Sequence, residues 1–85
     1  MENRNLFDPQ NFAENFRELL FALELTQAEA ARRIGVSAPL VNWWYNGQGT
    51  PDLHNLCLIC NALAISPEWL LTKHVPLKYK PGRII

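Results

Sequence analysis

From Phe12 onward the apolar residues of this 85-residue chain fall three and four positions apart, with polar residues filling the gaps. Phe12, Phe16, Leu19, Leu20 and Leu23 form one such stripe, which predicts a first helix over roughly 9–23. Asp8 would cap it, Pro9 takes the first helical position, and Glu14, Arg17, Glu18 and Glu24 fill the solvated side. Two short helices follow. Thr26 and Glu29 stand at capping-box spacing, and Ala30, Ala31 and Ile34 give Gln27–Ile34 a small apolar face. Gly35 comes just after the last periodic residue, where an abrupt helix end needs left-handed backbone. Ser37 then caps a further helix with Pro39 in its first turn, and Val41 and Trp44 face back toward Ala30, Ala31 and Ile34. Small residues on the first of the pair allow the close approach that a steep crossing demands.

Thr26–Asn46 therefore reads as a helix-turn-helix. The segment Asn46–Thr50 (NGQGT) is a turn region with two glycines. Thr50-Pro51 is the expected start of a fourth helix ending near Asn61–Ala64, with Leu53, Leu56, Ile59, Cys60 and Leu63 as its apolar stripe. Ser66-Pro67 opens a fifth, whose Trp69 and Leu70 should close the core. Residues 1–8 read as an N-terminal arm, and 9–72 as one small helical domain. In 73–85 the pattern changes: Val75, Leu77 and Tyr79 alternate with Pro76, Lys78 and Lys80, which suggests an extended tail. Pro76 and Pro81 argue against a central strand there.

Composition adds a constraint. Eight basic and eight acidic residues give a formal net charge of zero, without the basic excess usual in nucleic-acid-binding domains. No run approaches the about 18–20 apolar residues of a membrane span, and MENRNLFDPQ lacks the form of a secretory signal, so a cytoplasmic protein is expected. Cys57 and Cys60 form a CxxC. His54 and His74 stand at no matching zinc spacing, so core packing of Cys60 is the favoured reading over metal or redox chemistry. No catalytic constellation or phosphate-cradling glycine loop is visible, so neither an enzyme nor a cofactor or metal is expected.

The ordered series TQ, G-V-S, W-x-N-G, a Pro-led fourth helix and S-P-E-W-L-L, over roughly residues 12–72, resembles the lambda-repressor-like, Cro/C1-type (Xre-like) helix-turn-helix domains of phage and bacterial regulators. The resemblance implies an all-α, compact five-helix DNA-binding domain, here with an extended C-terminal tail, that binds a pseudo-palindromic operator as a homodimer. Its second motif helix would lie in the major groove, which makes Ser37, Ala38, Pro39, Asn42 and Trp43 the base-facing residues. Asn42 alone among them offers a bidentate contact, with adenine as its natural partner, and Ala38 and Pro39 suit thymine methyls. No Arg, Lys or Gln stands on this helix, a departure from many relatives, so the expected half-site leans to A·T. Phosphate contacts would come from Gln27, Asn46 and Gly47, with Gln48, Arg32 and Arg33 as secondary candidates. The subunit contact of such domains lies at or beyond the fifth helix, pointing to Trp69, Leu71, Val75, Leu77 and Tyr79.

Two functions stay open. One is a transcriptional regulator of the Cro/C1-like repressor type, including a restriction-modification controller or an antitoxin-type autorepressor, associated with the nucleoid when bound to double-stranded DNA. The other is a protein-interaction module on the same fold, with Leu40, Trp43 and the tail as its partner surface; the neutral charge favours it. Gln27, Asn42 and Asn46-Gly47 favour the first.

Overall fold

Why these helices stop where they do explains most of the fold. The computed structural model describes residues 9–72, which form α1 (Pro9–Leu23), α2 (Gln27–Ile34), α3 (Ala38–Tyr45), α4 (Leu53–Leu63) and α5 (Pro67–Leu71). The predicted N-terminal arm and C-terminal tail, including Val75, Leu77 and Tyr79, lie outside the described residues.

Every helix from α2 onward begins on a side-chain cap. The Thr26 hydroxyl accepts from the Glu29 N–H at 3.0 Å, and the Thr26 N–H donates to Glu29 Oε1 at 2.8 Å, completing the capping box. This hydrogen bonding holds the Glu29 carboxyl below its usual pKa, so the box weakens as the pH falls into the acid range and Glu29 protonates. Ser37 and Ser66 cap α3 and α5 through the N–H groups of Leu40 and Trp69. The fourth helix departs from expectation: it opens at Leu53, capped by Asp52 accepting from the Asn55 N–H at 2.8 Å, and not at Thr50-Pro51. An Asp carboxylate accepts from the first-turn N–H groups and complements the positive end of the helix.

Four connections share one ending. Glu24 (φ 58), Gly35 (φ 92), Gly47 (φ 74) and Ala64 (φ 56) adopt left-handed backbone. In each case the next residue's N–H reaches the carbonyl five back: Leu25 to Leu20, Val36 to Ala31, Gln48 to Trp43, Ile65 to Cys60. Leu25, Val36 and Ile65 then pack against the core. Two of the four left-handed positions carry a Cβ, at a cost of roughly 1–2 kcal/mol each. Ala64→Gly should therefore stabilise the domain by about 0.5–1 kcal/mol once the extra freedom of glycine in the unfolded chain is offset. A thermal melt raised by about 2–6 °C would register it.

The apolar stripes converge as the pattern implies. α1 packs on α3 and α5, α2 on α3 and α4, and α4 on α5. Phe12, Phe16, Leu19, Ala30, Ile34, Val41, Trp44, Ile59, Leu63 and Leu70 are all buried. Phe12 stacks on Phe16 with ring centroids 5.4 Å apart, and Phe16 meets Trp44 edge-on at 6.1 Å. Leu53 is the exception in its stripe: at 80% exposed it stands outside the core, because it is the first residue of α4 and projects beside the helix entry. Cys60 is only half-buried; burial, with Cys57 beside it, pushes its thiol pKa up to about 11, so it stays protonated near neutral pH.

Candidate functional site

The α2–Gly35–α3 corner presents one continuous exposed surface. With Val41 and Trp44 turned into the core, helical geometry puts Ser37, Ala38, Pro39, Asn42 and Trp43 on the outside, and all five are exposed. Gln27, the first residue of α2, is half-buried at the edge of this surface. Asn46, which ends α3, is exposed at the other edge.

Three of these residues are physically joined. The Asn42 Nδ2–H donates to Gln27 Oε1 at 3.0 Å, and the Asn46 Nδ2–H donates to Asn42 Oδ1 at 3.1 Å. The chain of amides crosses from α2 through the middle of α3 to the loop beyond. It orients the Asn42 side chain without exhausting it, since an amide has two N–H donors and an oxygen with two lone pairs. One donor and one lone pair of Asn42 are left to address another group side by side. Separation along the sequence hid this link, because Gln27 and Asn42 are fifteen residues apart.

The loop after α3 is held from behind by α1. The Arg17 guanidinium donates to the Tyr45 carbonyl at 2.6 Å and lies 5.8 Å from the centre of the Tyr45 ring. A cation at the carbonyl end of α3 also matches the sign of its dipole. Gln10 Nε2 approaches the Gly47 carbonyl at 3.4 Å. Arg17 is thus not a solvated residue of the outer face, as its spacing suggests; it braces the end of α3. The same loop breaks the rule of the other three connections. After the left-handed Gly47 comes Gln48, exposed and polar, where the others insert an apolar residue.

Other candidates fall elsewhere. Arg32 and Arg33 are exposed in the last turn of α2, at the opposite end from Gln27. Trp69 and Leu71 are partly buried on α5. Leu71 lines a shallow apolar groove of about 450 Å³ together with Thr50, Pro51, Asp52, Leu53 and Leu56. Charge is unevenly distributed along the sequence: 9–72 carries three arginines and six carboxylates, a formal −3, whereas 1–8 and 73–85 together carry five basic residues and two acidic ones. Among the described residues no three metal-ligating side chains gather, and no helix is long and apolar enough to cross a membrane.

A five-helix bundle with an exposed face on the second of two tightly crossed helices is the architecture of helix-turn-helix DNA-binding domains. The sequence model of the helix-turn-helix family matches residues 16–70, and the chain belongs to this family, in its Cro/C1-type branch. Its fold is similar to the crystal structure of a hypothetical transcription factor, NHTF, from Neisseria, with a TM-score of 0.66 and 23% identity over 85% of this chain and 86% of that one. Among curated proteins none matches the sequence.

Proposed function

We propose that the protein is a sequence-specific transcriptional regulator of the Cro/C1-like repressor type, binding a pseudo-palindromic operator as a homodimer. The observation that carries the reading is the Gln27–Asn42–Asn46 amide chain on the exposed corner of a family-matched helix-turn-helix. In it, α3 enters the major groove, and Asn42 reads a base pair while its orientation is held from both sides. Ser37, Ala38 and Pro39 face neighbouring bases, with the exposed edge of Trp43 beside them. Gln27, Asn46, Gly47 and Gln48 meet the sugar-phosphate chain on either side, with Arg32 and Arg33 further out. The similar fold of the hypothetical transcription factor from Neisseria supports the same reading.

Half-site recognition by a body of formal −3 charge puts weight on pairing two subunits, because long-range attraction to DNA is weak. The groove beside Leu71, with Leu53 standing 80% exposed at its rim, supports a second copy packing across α5 together with Trp69. Val75, Leu77 and Tyr79 would extend this contact. The same exposed apolar surface also favours the second reading, a module that binds another protein.

Operator selection from random duplex DNA separates the two. The expected result is a palindrome with an A·T-rich core, and Asn42→Ala should weaken binding to it by about 1–3 kcal/mol and relax the preference at one base pair per half-site. Failure of a folded, wild-type protein to enrich any sequence at low salt would move the assignment to the protein-binding module.

A further inference from the structure

Gly49 is a glycine without a backbone reason to be one. Gly35 and Gly47 occupy left-handed conformations, whereas Gly49 does not. What excludes a side chain there is Trp43. A Cβ built on Gly49 would run into the benzo-ring atoms Cη2, Cζ2 and Cζ3 of that indole. The ring therefore lies directly on the Gly49 backbone. Trp43 is still 43% exposed, so this contact covers only part of it.

The same tryptophan holds the loop a second time through its main chain. Its carbonyl accepts the Gln48 N–H at 3.1 Å, while the Trp44 carbonyl accepts the Gly47 N–H at 3.1 Å. The stretch Asn46–Gly49 is thus wrapped round Trp43, clamped by a hydrogen bond on one side and the indole on the other. Gln48 inserts nothing into the core, so the ring takes over the anchoring that Leu25, Val36 and Ile65 provide at the other three connections.

We propose that the Trp43–Gly49 contact sets the shape of the loop that meets the DNA backbone, which makes Trp43 a positioning residue for phosphate contact and Gly49 the residue that makes room for it. The proposal rests on the regulator reading given above and deepens it. Phosphate contacts fix affinity and register but carry no base information. Disturbing this contact should therefore weaken binding to all sequences alike, unlike the loss of Asn42.

The test uses the full chain and the selected operator, with Gly49→Ala, Trp43→Phe and the double variant. Gly49→Ala should keep the helical circular dichroism and shift the Trp43 indole N–H resonance, assigned by its absence in Trp43→Phe, while those of Trp44 and Trp69 stay in place. It should lower affinity about tenfold, the scale of one lost contact, for matched and singly mismatched operators equally. A phenyl ring lacks the atoms that lie on Gly49, so Trp43→Phe should also weaken binding to every operator, and adding Gly49→Ala to Trp43→Phe should cost little more, because the contact is already gone. Unchanged affinity in Gly49→Ala overturns the proposal, as does loss of preference at one base pair on Gly49→Ala or a double variant whose loss is the full sum of the two single losses. Absence of any operator for the wild-type protein is a different failure, seen before a variant is made, and removes the regulator reading itself.

Discussion

Trp44→Ala is expected to remove most of the stability of the domain, about 3–5 kcal/mol by the usual cost of truncating a buried aromatic. Trp44 is 1% exposed and is the largest of the fully buried side chains. Its indole packs edge-to-face with Phe16, which stacks in turn on Phe12, so one truncation removes the α3 end of a three-ring array joining α1 to α3. Neighbouring Val41, Ala30 and Ile34 are too small or too fixed on their helices to fill the space, and a cavity remains. Against a total of roughly 3–10 kcal/mol for a body of this size, that loss leaves little or no cooperative fold. Thermal or urea melts followed by circular dichroism would show it, with Trp43→Ala as the neighbouring comparison. The exposed tryptophan should cost under about 1.5 kcal/mol. Similar losses for both variants would contradict the packing described above.

Asn15→Asp is the second large effect, although it only exchanges an amide NH2 for an oxygen. Asn15 is 5% exposed, and its Nδ2 amide lies 3.1 Å from the Trp69 carbonyl, 3.0 Å from that of Leu70 and 2.8 Å from that of Thr72. The donor closes the C-terminal end of α5, a helix of five residues too short to persist by itself. A carboxylate at this point would set an anion against three carbonyl oxygens, out of water. The expected loss is about 3–5 kcal/mol at neutral pH, against about 1–3 for Asn15→Ala, which removes the donor without adding charge. Because burial among carbonyls raises the pKa of the new acid in the folded state, its penalty grows as pH rises from the unfolded value toward the folded one. It is relieved as pH falls back to about 4, where the protonated acid supplies an O–H donor. Melts of both variants across that range check the sign. A pH-independent difference between them would show that α5 does not hold the side chain as described. Release of α5 would also expose Leu70, so its amides should exchange first.

The contrast between these two residues shows what kinds of information the chain displays openly. Trp44 is legible: it lies three residues after Val41 on a helix whose inward face is obvious from its period. Asn15 is not, because it stands beside Phe16 on a helix that also carries Glu14 and Glu18, and nothing in its neighbourhood signals a partner more than fifty residues away. Arg17 looks equally solvated until its guanidinium is seen on the Tyr45 carbonyl. Leu53 errs the other way, since an apolar residue in register with a stripe looks buried and is not. Thr50-Pro51 looked like a helix start because proline suits a first turn, but the nearby Asp52 supplies the stronger cap.

At the site the division is similar. The family motif marked which faces to consider, and helical period separated Ser37, Ala38, Pro39, Asn42 and Trp43 from Val41 and Trp44. It did not show that Gln27, Asn42 and Asn46 form one hydrogen-bonded chain, or that Gly49 is small because an indole lies upon it.

By itself the sequence determined the number, type and approximate limits of the helices, the sharp corner at Gly35, and the buried face of each element. These depend on interactions within a turn or two of chain: caps, periodicity, and the backbone freedom of glycine. Tertiary structure alone decided which polar side chains close the ends of distant helices, how the loop after α3 is braced, and how Asn42 is aimed. Those outcomes depend on where one helix's side chains meet another's backbone, and such distances exist only after the stripes have packed.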